Sequence, residues 1–379
     1  MTPDTDSYQT RADGCVASFM TQADVHKFLS PPTYTSDWLD WSNHASALFL
    51  SGRTNLALIA ARHALGLERT PTTLINLAVI LESQSQFYPA FSLAEEAYRI
   101  NPDHPYAAIL YSDSLLRMGR FLEAWPIYSR SHAPWGWVKN IIPEWDGRSS
   151  LLNKRILVLS GGGFGDNFLH MRWIPKLKGL GATVTYMCPA SMHSLLDGMY
   201  GFDRLIAGSV AGLEGTLIPS DYDCYTCVLS LGGYFCRDTS EIPTERYIRL
   251  ESPPTDNIGL CITAGEEKIP RRNRSLSPAQ AFHICENRPI VDLDRDGEWL
   301  DTATLISTLK LVITVDTAVA HLSGAMGIPT WVILPGNSAA YYGIHGTYNH
   351  FYPSHRLFRN NAEGMDHAVS AVCDALEQL

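Results

Sequence analysis

A run of glycines that ends in a carboxylate follows the apolar stretch RILVL. The run is Gly161-Gly162-Gly163-Phe164-Gly165-Asp166, and a helical pattern, FLHMRWIPKL, comes soon after it. Glycines let a ligand approach the backbone closely, because no side chain stands in the way. Asp166 at a helix start could cap the helix, or it could accept a proton from a substrate hydroxyl. The sequence leaves both roles open.

The spacing of these glycines departs from two common nucleotide-binding patterns. The dinucleotide fingerprint G-x-G-x-x-G is followed by an acidic residue at the end of the next strand, where this chain has Cys188-Pro189. A P-loop has Gly-Lys-Ser/Thr where this chain has Asp166-Asn167. An unrelated nucleotide-binding oxidoreductase is therefore the weakest of the functional hypotheses.

A second polar segment, VITVDTAVAHL, ends a strand pattern at Asp316 and begins a helix pattern at once. Thr317, Ala318 and the backbone N–H groups of the helix start predict an anion site, because the helix dipole favours negative charge there. His321 follows Thr317 by four residues and lies on the same helix face. Asp316 at the strand end could hold sugar hydroxyls. Alternatively, Asp316 only caps the helix and His321 is a buried histidine whose hydrogen bonds are satisfied.

The one dense basic run of the chain, KIPRRNRS, follows the strand pattern NIGLCIT directly. Its residues Lys268, Arg272 and Arg274 could neutralise a diphosphate, Arg by paired hydrogen bonds and Lys as a point charge. A charge run is more often a solvated surface, and that alternative stays open.

Two patterns that resemble metal sites are incomplete. The run DLDRDG imitates the start of a calcium loop, but its twelfth position is Ala303 instead of Glu. A solvated loop is the favoured interpretation of Asp292 and Asp294. Cys224 and Cys227 form a CxxC pair, but no second ligand pair at comparable spacing accompanies them. We therefore expect no metal and no other cofactor.

The bulk composition limits the possible partners and compartments. The formal net charge of −10 opposes binding to nucleic acid or to anionic membranes. No stretch reaches the roughly 18 apolar residues of a membrane span, and the first 20 residues lack the pattern of a secretory signal. We expect a cytoplasmic protein without a membrane span, with reduced thiols and no nucleic-acid partner.

The pattern of apolar residues predicts several segments. After a leader (1–36), Ala57, Ala90 and Ala124 recur at roughly the 34-residue period of a tetratricopeptide repeat over 37–132. A plain helical bundle is the alternative there. A connector rich in Pro, Trp and Gly (133–153) precedes two segments, 154–252 and 253–379, in which strand and helix patterns alternate. That alternation predicts an α/β fold with two Rossmann-like domains behind an all-α repeat domain.

Several segments together resemble the bacterial tetratricopeptide-containing glycosyltransferases that are related to the heptosyltransferases. These are PEWDGRSSLLNKRILVLSGGGFGDNFLHMRWIPKL, RNRS, VITVDTAVAHLSGAMGIPTWVILP and YPSHRLFR, and the resemblance extends from about Trp41 to the end. It implies a GT-B fold, with 154–252 as acceptor domain and 253–379 as donor domain. It also implies metal-independent transfer of a sugar from a nucleotide-sugar donor.

The resemblance also implies roles for single residues. Asp166 matches the acidic residue that acts as base. Asp316, Thr317 and His321 match the donor-binding segment, and the loop that holds Lys268, Arg272 and Arg274 matches the one that faces the donor diphosphate. The repeats would bind a protein or glycan acceptor or mediate self-association into a homo-oligomer.

This chain also departs from the family pattern. It has Gly161-Gly162-Gly163 where the family has Glu-Gln-Gly, and it is shorter between His283 and Val291, which predicts a missing or remodelled strand. The alternative function is therefore a non-catalytic relative that serves as a tetratricopeptide interaction scaffold.

Overall fold

A computed structural model describes residues 20–132, 136–199, 201–208, 219–265, 274–286, 288–294, 297–336, 338–360 and 365–379. The chain forms two compact units. The first contains the helices before Met118, and the second is built mainly from Gly119–Gly265, Arg274–Pro335 and Tyr341–Leu379. Lys268 and Arg272, which the sequence predicts to bind the donor, lie outside the described residues, as do positions 1–19 of the predicted leader.

The first unit confirms the predicted N-terminal helical region. Its helices are α1 (Gln22–Phe28), α2 (Trp38–Leu50), α3 (Thr54–Leu67), α4 (Pro71–Ser83), α5 (Phe87–Ile100) and α6 (Pro105–Arg117). Each helix from α2 to α6 packs against the one before it, and α4 also packs against α2 and α6. Ala90, Ala94 and Ala97 are fully buried on α5. Such small side chains let neighbouring helices approach closely, as their spacing in the sequence predicts.

The second unit confirms the predicted mixed α/β class with parallel sheets. Its first sheet holds β1 (Arg155–Leu159), β2 (Thr183–Cys188), β3 (Arg204–Ala207) and β4 (Cys224–Cys227), in the order β3-β2-β1-β4 with every pair parallel. The helices of this part are α7 (Phe121–His132), α8 (Gly136–Lys139), α9 (Phe164–His170), α10 (Ile174–Gly179), α11 (His193–Leu196) and α12 (Leu231–Phe235). The strands β1 and β2 are buried after their first residue, as continuous apolar runs in parallel sheets require.

The second sheet contains β5 (Ile258–Cys261), β6 (Ile290–Asp292), β7 (Leu311–Val315), β8 (Thr330–Leu334) and β9 (His355–Arg359). Its order is β6-β5-β7-β8-β9, again with every pair parallel. Helices α13 (Pro278–Cys285), α14 (Trp299–Ser307), α15 (Ala318–Met326) and α16 (Met365–Leu376) complete it. The region between His283 and Val291, where the sequence predicts a missing or remodelled strand, leads into β6, which has three residues.

Each sheet has a point at which its strand order reverses direction. In the first sheet the reversal lies at β1, between β2 and β4, and in the second it lies at β5, between β6 and β7. Ligands of open α/β sheets bind at such points, beyond the carboxyl ends of the strands. The glycine run follows β1, and the Asp316-Thr317 segment follows β7. The fold therefore puts both polar motifs where a ligand would bind.

The helix α12 packs against α7 through a glycine. A Cβ atom added to Gly232 would lie 2.8 Å from the Trp125 side chain, which is fully buried. At Gly179, the last residue of α10, an added Cβ would meet nothing within 4 Å. A methyl group therefore has no room at Gly232 but has room at Gly179.

We predict that Gly232→Ala lowers the free energy of unfolding by about 1 to 3 kcal/mol, because Trp125 has to move to admit the methyl group. The matched variant Gly179→Ala should leave stability unchanged or raise it by up to about 1 kcal/mol, since alanine favours helix. Urea denaturation of both variants measures the difference. Equal stability of the two variants would contradict the tight contact.

Candidate functional site

The glycine turn after β1 is held closed by the side chain of Asn167. Its Nδ2 donates to the carbonyls of Gly161 at 3.0 Å and Gly163 at 2.8 Å. Its Oδ1 accepts from the Tyr186 hydroxyl at 3.0 Å and lies 3.4 Å from the Gly161 nitrogen. Asn167 is buried. Sequence reasoning overlooked this residue, although an amide directly after Gly-Asp is a signal that could have identified it.

Asp166 lies in the first turn of α9 and is partly buried. Its Oδ2 accepts from the backbone nitrogen of Gly163, the N-cap residue, at 2.8 Å. Gly162 has φ +65°, and a Cβ there would lie 2.4 Å from Asp166 Oδ2. Only glycine fits both the backbone angle and the space beside the carboxylate. Asp166 is thus not the N-cap that the sequence left open, because it lies at the third position of α9, and its carboxylate bonds back to the nitrogen of the N-cap residue.

Thr317 begins α15 without capping it. Its side chain makes no hydrogen bond to the N–H groups of the first helical turn. The Thr317 hydroxyl instead lies 3.2 Å from Thr314 Oγ1 and 3.8 Å from Cys261 Sγ. The first N–H groups of a helix have no partner within the helix. The Thr317 side chain therefore leaves the first turn of α15 without a side-chain cap.

Arg274 belongs to the basic run but folds back onto the strand end. Its Nη1 donates to the Asp316 carbonyl at 2.6 Å and lies 3.9 Å from Asp316 Oδ1. The side chains of Arg274 and Asp316 are 16% and 3% exposed. The structure thus assigns both residues a shared structural contact at the base of α15. The solvated-surface alternative does not describe Arg274.

His321 is buried on α15, and its ring edge faces the start of α9. A Cβ added to Gly165 would lie 2.8 Å from His321 Cδ2 and 3.6 Å from the Cα of Ala318. His321 Nδ1 lies 3.3 Å from the Tyr352 hydroxyl. Burial lowers the pKa of His321 to about 4, so its imidazole is neutral at neutral pH. The glycine turn and the Asp316-Thr317 segment therefore meet through Gly165.

A pocket of about 440 Å³ opens beside this contact. Its walls come from α9, from the loops after β5 and β6, from α14 and from the start of α15. The lining residues are Phe164, Cys261, Thr263, Gly265, Leu293, Asp294, Trp299, Thr317, Ala318 and Val319. The Trp299 ring packs edge-on against Phe164, with 5.2 Å between ring centroids. Its walls combine the aromatic rings of Phe164 and Trp299 with polar side chains from Thr263, Asp294 and Thr317.

Asp294 has a structural role that the sequence did not predict. Its carboxylate accepts from the backbone nitrogens of Ile262 at 2.9 Å and Thr263 at 3.0 Å, which follow β5. The expectation of a solvated loop is therefore wrong for Asp294, although Asp292 is exposed. The long sequence separation explains the error, because the partner backbone lies more than thirty residues away.

Across the described ranges, no group of three or more His, Cys, Asp or Glu side chains is arranged to hold a metal ion. Cys227 packs against the glycine turn, since a Cβ added to Gly161 would lie 2.9 Å from its Sγ. Its neighbour in the CxxC pair, Cys224, is partly buried, and burial raises the pKa of its thiol to about 11. In the same ranges no helix is both long and apolar enough to cross a bilayer.

Comparison with known proteins finds no matching family model and no matching curated protein. Among solved structures, the chain is similar to a glycosyl transferase family 9 protein from Veillonella parvula DSM 2008, with 12% identity, a TM-score of 0.46, and coverage of 62% of this chain and 99% of that one. It is similar to E. coli heptosyltransferase WaaC with ADP-2-deoxy-2-fluoro heptose, with 10% identity, a TM-score of 0.40, and coverage of 59% of this chain and 99% of that one. It is also similar to an O-GlcNAc transferase mutant from Thermobaculum terrenum, with 13% identity, a TM-score of 0.30, and coverage of 95% of this chain and 94% of that one. Likeness at this level transfers no function to this chain.

We predict that the second unit loses stability as pH falls below about 6.5, the ordinary pKa of histidine. Burial lowers the pKa of His321 to about 4 and that of His355 to about 3. The unfolded chain therefore binds more protons than the folded one between these values and 6.5, so acid favours unfolding. In His355→Gln, the loss of unfolding free energy from about pH 7 to about pH 4.5 should shrink by about 2 kcal/mol.

Urea denaturation at about pH 7 and about pH 4.5 measures this change in unfolding free energy. His350→Gln is the matched control, because His350 is exposed and lies in the same unit. An unchanged slope in His355→Gln would show that His355 is not held neutral by burial.

Proposed function

We propose that this protein is a glycosyltransferase of the GT-B type, with two Rossmann-like domains and an N-terminal tetratricopeptide-type module. The observation that carries this proposal is the meeting of α9 and α15 at Gly165. It brings the ligand-binding ends of two parallel sheets to one site. A reaction between two substrates, each held by one sheet, needs such an arrangement. The resemblance of the sequence motifs to the tetratricopeptide-containing glycosyltransferases supports the same conclusion.

The donor, a nucleotide sugar, would bind to the second sheet. The pocket beside Trp299 offers aromatic walls for a nucleoside, and the uncapped start of α15 offers N–H groups for its diphosphate. Arg274 adds positive charge behind this helix start. Lys268 and Arg272 would complete the charge if their loop faces the site. Cationic side chains and helix N–H groups would then stabilise the leaving diphosphate without a metal ion.

The acceptor hydroxyl would bind beside the glycine turn of the first sheet. Asp166 would take the hydroxyl proton while the acceptor oxygen forms a bond to the anomeric carbon. The bond from that carbon to the diphosphate oxygen breaks, and the nucleoside diphosphate leaves with the bonding electrons. Gly161, Gly162, Gly163 and Gly165 would leave room for the acceptor. The repeats would present a protein or glycan acceptor or join two copies of the chain in the cytoplasm.

The second candidate function is a non-catalytic scaffold of the same fold. One observation favours it: the Asp166 carboxylate accepts the capping hydrogen bond from Gly163. An aspartate retained only as a cap would need no substrate. The two functions differ in whether the protein binds a donor at all, and in whether Asp166 affects turnover.

We predict that the intact protein is thermally stabilised by at least one nucleoside diphosphate or nucleotide sugar, because a ligand that binds only the folded state raises its stability. A thermal-shift screen of ADP-, UDP-, GDP- and CMP-linked sugars measures this. At a concentration about 100 times the dissociation constant, the gain is about 2.7 kcal/mol. The absence of a shift with every donor would favour the scaffold.

We also predict that Asp166→Asn lowers turnover by about 10²-fold or more, because the amide keeps capping ability but cannot take a proton. Donor affinity and melting temperature should stay nearly unchanged. Asp166→Ala should in addition lose about 1 kcal/mol of stability, since the cap is removed. Release of nucleoside diphosphate from the donor found in the screen measures turnover.

The matched control is Asp238→Asn. Asp238 is exposed and also caps a short helical turn with its carboxylate, which accepts from the Ser240 nitrogen at 2.8 Å. Its substitution should leave turnover unchanged. Full turnover in Asp166→Asn would show that another group is the base.

A further inference from the structure

A chain of hydrogen bonds links the backbone of α9 to the imidazole of His321 through two tyrosines. The Tyr247 hydroxyl donates to the Phe168 carbonyl at 2.7 Å. The hydroxyl oxygens of Tyr247 and Tyr352 lie 3.3 Å apart. The Tyr352 hydroxyl in turn lies 3.3 Å from His321 Nδ1. All four residues belong to the second unit.

The donor of each hydrogen bond can be deduced from the first bond, between Tyr247 and Phe168. A carbonyl oxygen only accepts, so the Tyr247 hydroxyl donates its single proton to the Phe168 carbonyl. The contact between the two hydroxyls must then be donated by Tyr352. If Tyr352 gave its proton to His321 instead, two oxygens would face each other at 3.3 Å with no proton between them. The contact between Tyr352 and His321 is therefore donated by the Nδ1–H of His321.

The protonation states of both side chains agree with this order. Burial raises the pKa of Tyr352 well above its ordinary value, so the phenol keeps its proton. Burial lowers the pKa of His321 to about 4, so the imidazole carries one proton at neutral pH. Arg172 strengthens the chain, because its Nη2 donates to the Tyr247 oxygen at 3.2 Å and its guanidinium lies 4.4 Å from the centroid of the Tyr352 ring.

We propose that Tyr247 and Tyr352 hold His321 as the Nδ1–H tautomer, and that its bare Nε2 accepts a hydrogen bond from a sugar hydroxyl of the donor. The sugar contact rests on the proposed glycosyl transfer, whereas the tautomer does not. Tyr247 and Tyr352 are positioning residues in this scheme, because they act on the ligand only through His321.

The Nε2 atom of His321 lies close to Phe164 and Ala318, two residues that line the pocket. This nitrogen faces the start of α9, since a Cβ added to Gly165 would lie 3.5 Å from it. Among the described residues, no protein group forms a hydrogen bond with Nε2. A nitrogen without a proton accepts from a hydroxyl but repels a phosphate oxygen, which has no proton to donate. His321 therefore recognises the sugar, while the start of α15 recognises the diphosphate.

The tautomer can be measured without any ligand. In the full chain labelled with ¹⁵N-histidine, nitrogen chemical shifts and long-range couplings distinguish Nδ1–H from Nε2–H, and His321→Gln assigns the signal by its loss. We expect the Nδ1–H form in the wild-type protein. Tyr247→Phe should invert it to Nε2–H, because Tyr352 is then free to donate to Nδ1. An Nε2–H form in the wild-type protein would overturn the proposal.

Binding separates the sugar contact from a phosphate contact. Dissociation constants are measured separately for ADP, ADP-glucose, UDP and UDP-glucose. Each is measured for the wild-type protein, for Tyr247→Phe and for the control Tyr348→Phe, whose side chain is exposed. Tyr247→Phe should bind the nucleotide sugar about tenfold more weakly and bind the nucleoside diphosphate unchanged, since Nε2–H cannot accept the proton that the sugar hydroxyl donates to the bare Nε2 of the wild type. Tyr348→Phe should match the wild type.

The outcomes distinguish this inference from the proposed function. Tighter binding of the nucleoside diphosphate by Tyr247→Phe would place Nε2 at the diphosphate, because Nε2–H donates to a phosphate oxygen, and it would overturn the sugar contact. Failure of the wild-type protein to bind any of these ligands or any other donor of the thermal-shift screen would contradict the proposed glycosyl transfer, while the nitrogen shifts would still decide the tautomer. If Tyr247→Phe does not fold, the wild-type spectrum alone is decisive for the tautomer.

Discussion

The contact of Gly165 with α15 is the constraint on which the site depends. The first turns of α9 and α15 come so close that a methyl group on Gly165 would lie 2.8 Å from the His321 ring. Each helix begins beyond a strand of its own sheet, β1 or β7. Without this close approach, the two sheets would present separate ligand sites. With it, the glycine turn that follows β1 and the start of α15 lie side by side.

The buried guanidinium of Arg172 forms hydrogen bonds near this contact. It donates to the carbonyls of Leu169 at 2.8 Å and Phe351 at 2.6 Å, and its charge also lies over the Tyr352 ring. Among the described residues its partners are carbonyl oxygens and the hydroxyls of Tyr247 and Tyr352, so no carboxylate neutralises the positive charge. A buried charge is costly unless it is fully hydrogen-bonded. Its presence favours neutral histidines nearby, and it disfavours protonation of His321 and His355.

The sequence predicted the parts of the fold that depend on local pattern. Buried parallel strands are continuous apolar runs, and β1, β7 and β8 could be recognised for that reason. The glycine turn and the start of α15 could be recognised because each motif is contiguous.

The residues that connect these motifs could not be predicted, because their partners lie far away in the chain. Asp294 binds a backbone 32 residues before it. Tyr352 lies 31 residues after His321, and the carbonyl that Arg172 bonds lies 179 residues after it. Arg274 is a further example. Its basic run alone is typical of a solvated surface, and its hydrogen bond to the Asp316 carbonyl joins residues 42 positions apart. Local periodicity contains no information about such contacts.

The two helix starts also differ in a way that divides the proposed chemistry between them. Both carry the positive end of a helix dipole and would attract an anion. Neither start has a side-chain hydrogen bond from its N-cap residue, because the Asp166 carboxylate accepts from the nitrogen of Gly163, the N-cap itself. The two starts differ in charge instead. The first turn of α9 contains the Asp166 carboxylate, whereas the first turn of α15 contains no acidic residue. In the proposed reaction a diphosphate is therefore favoured at α15 and opposed at α9.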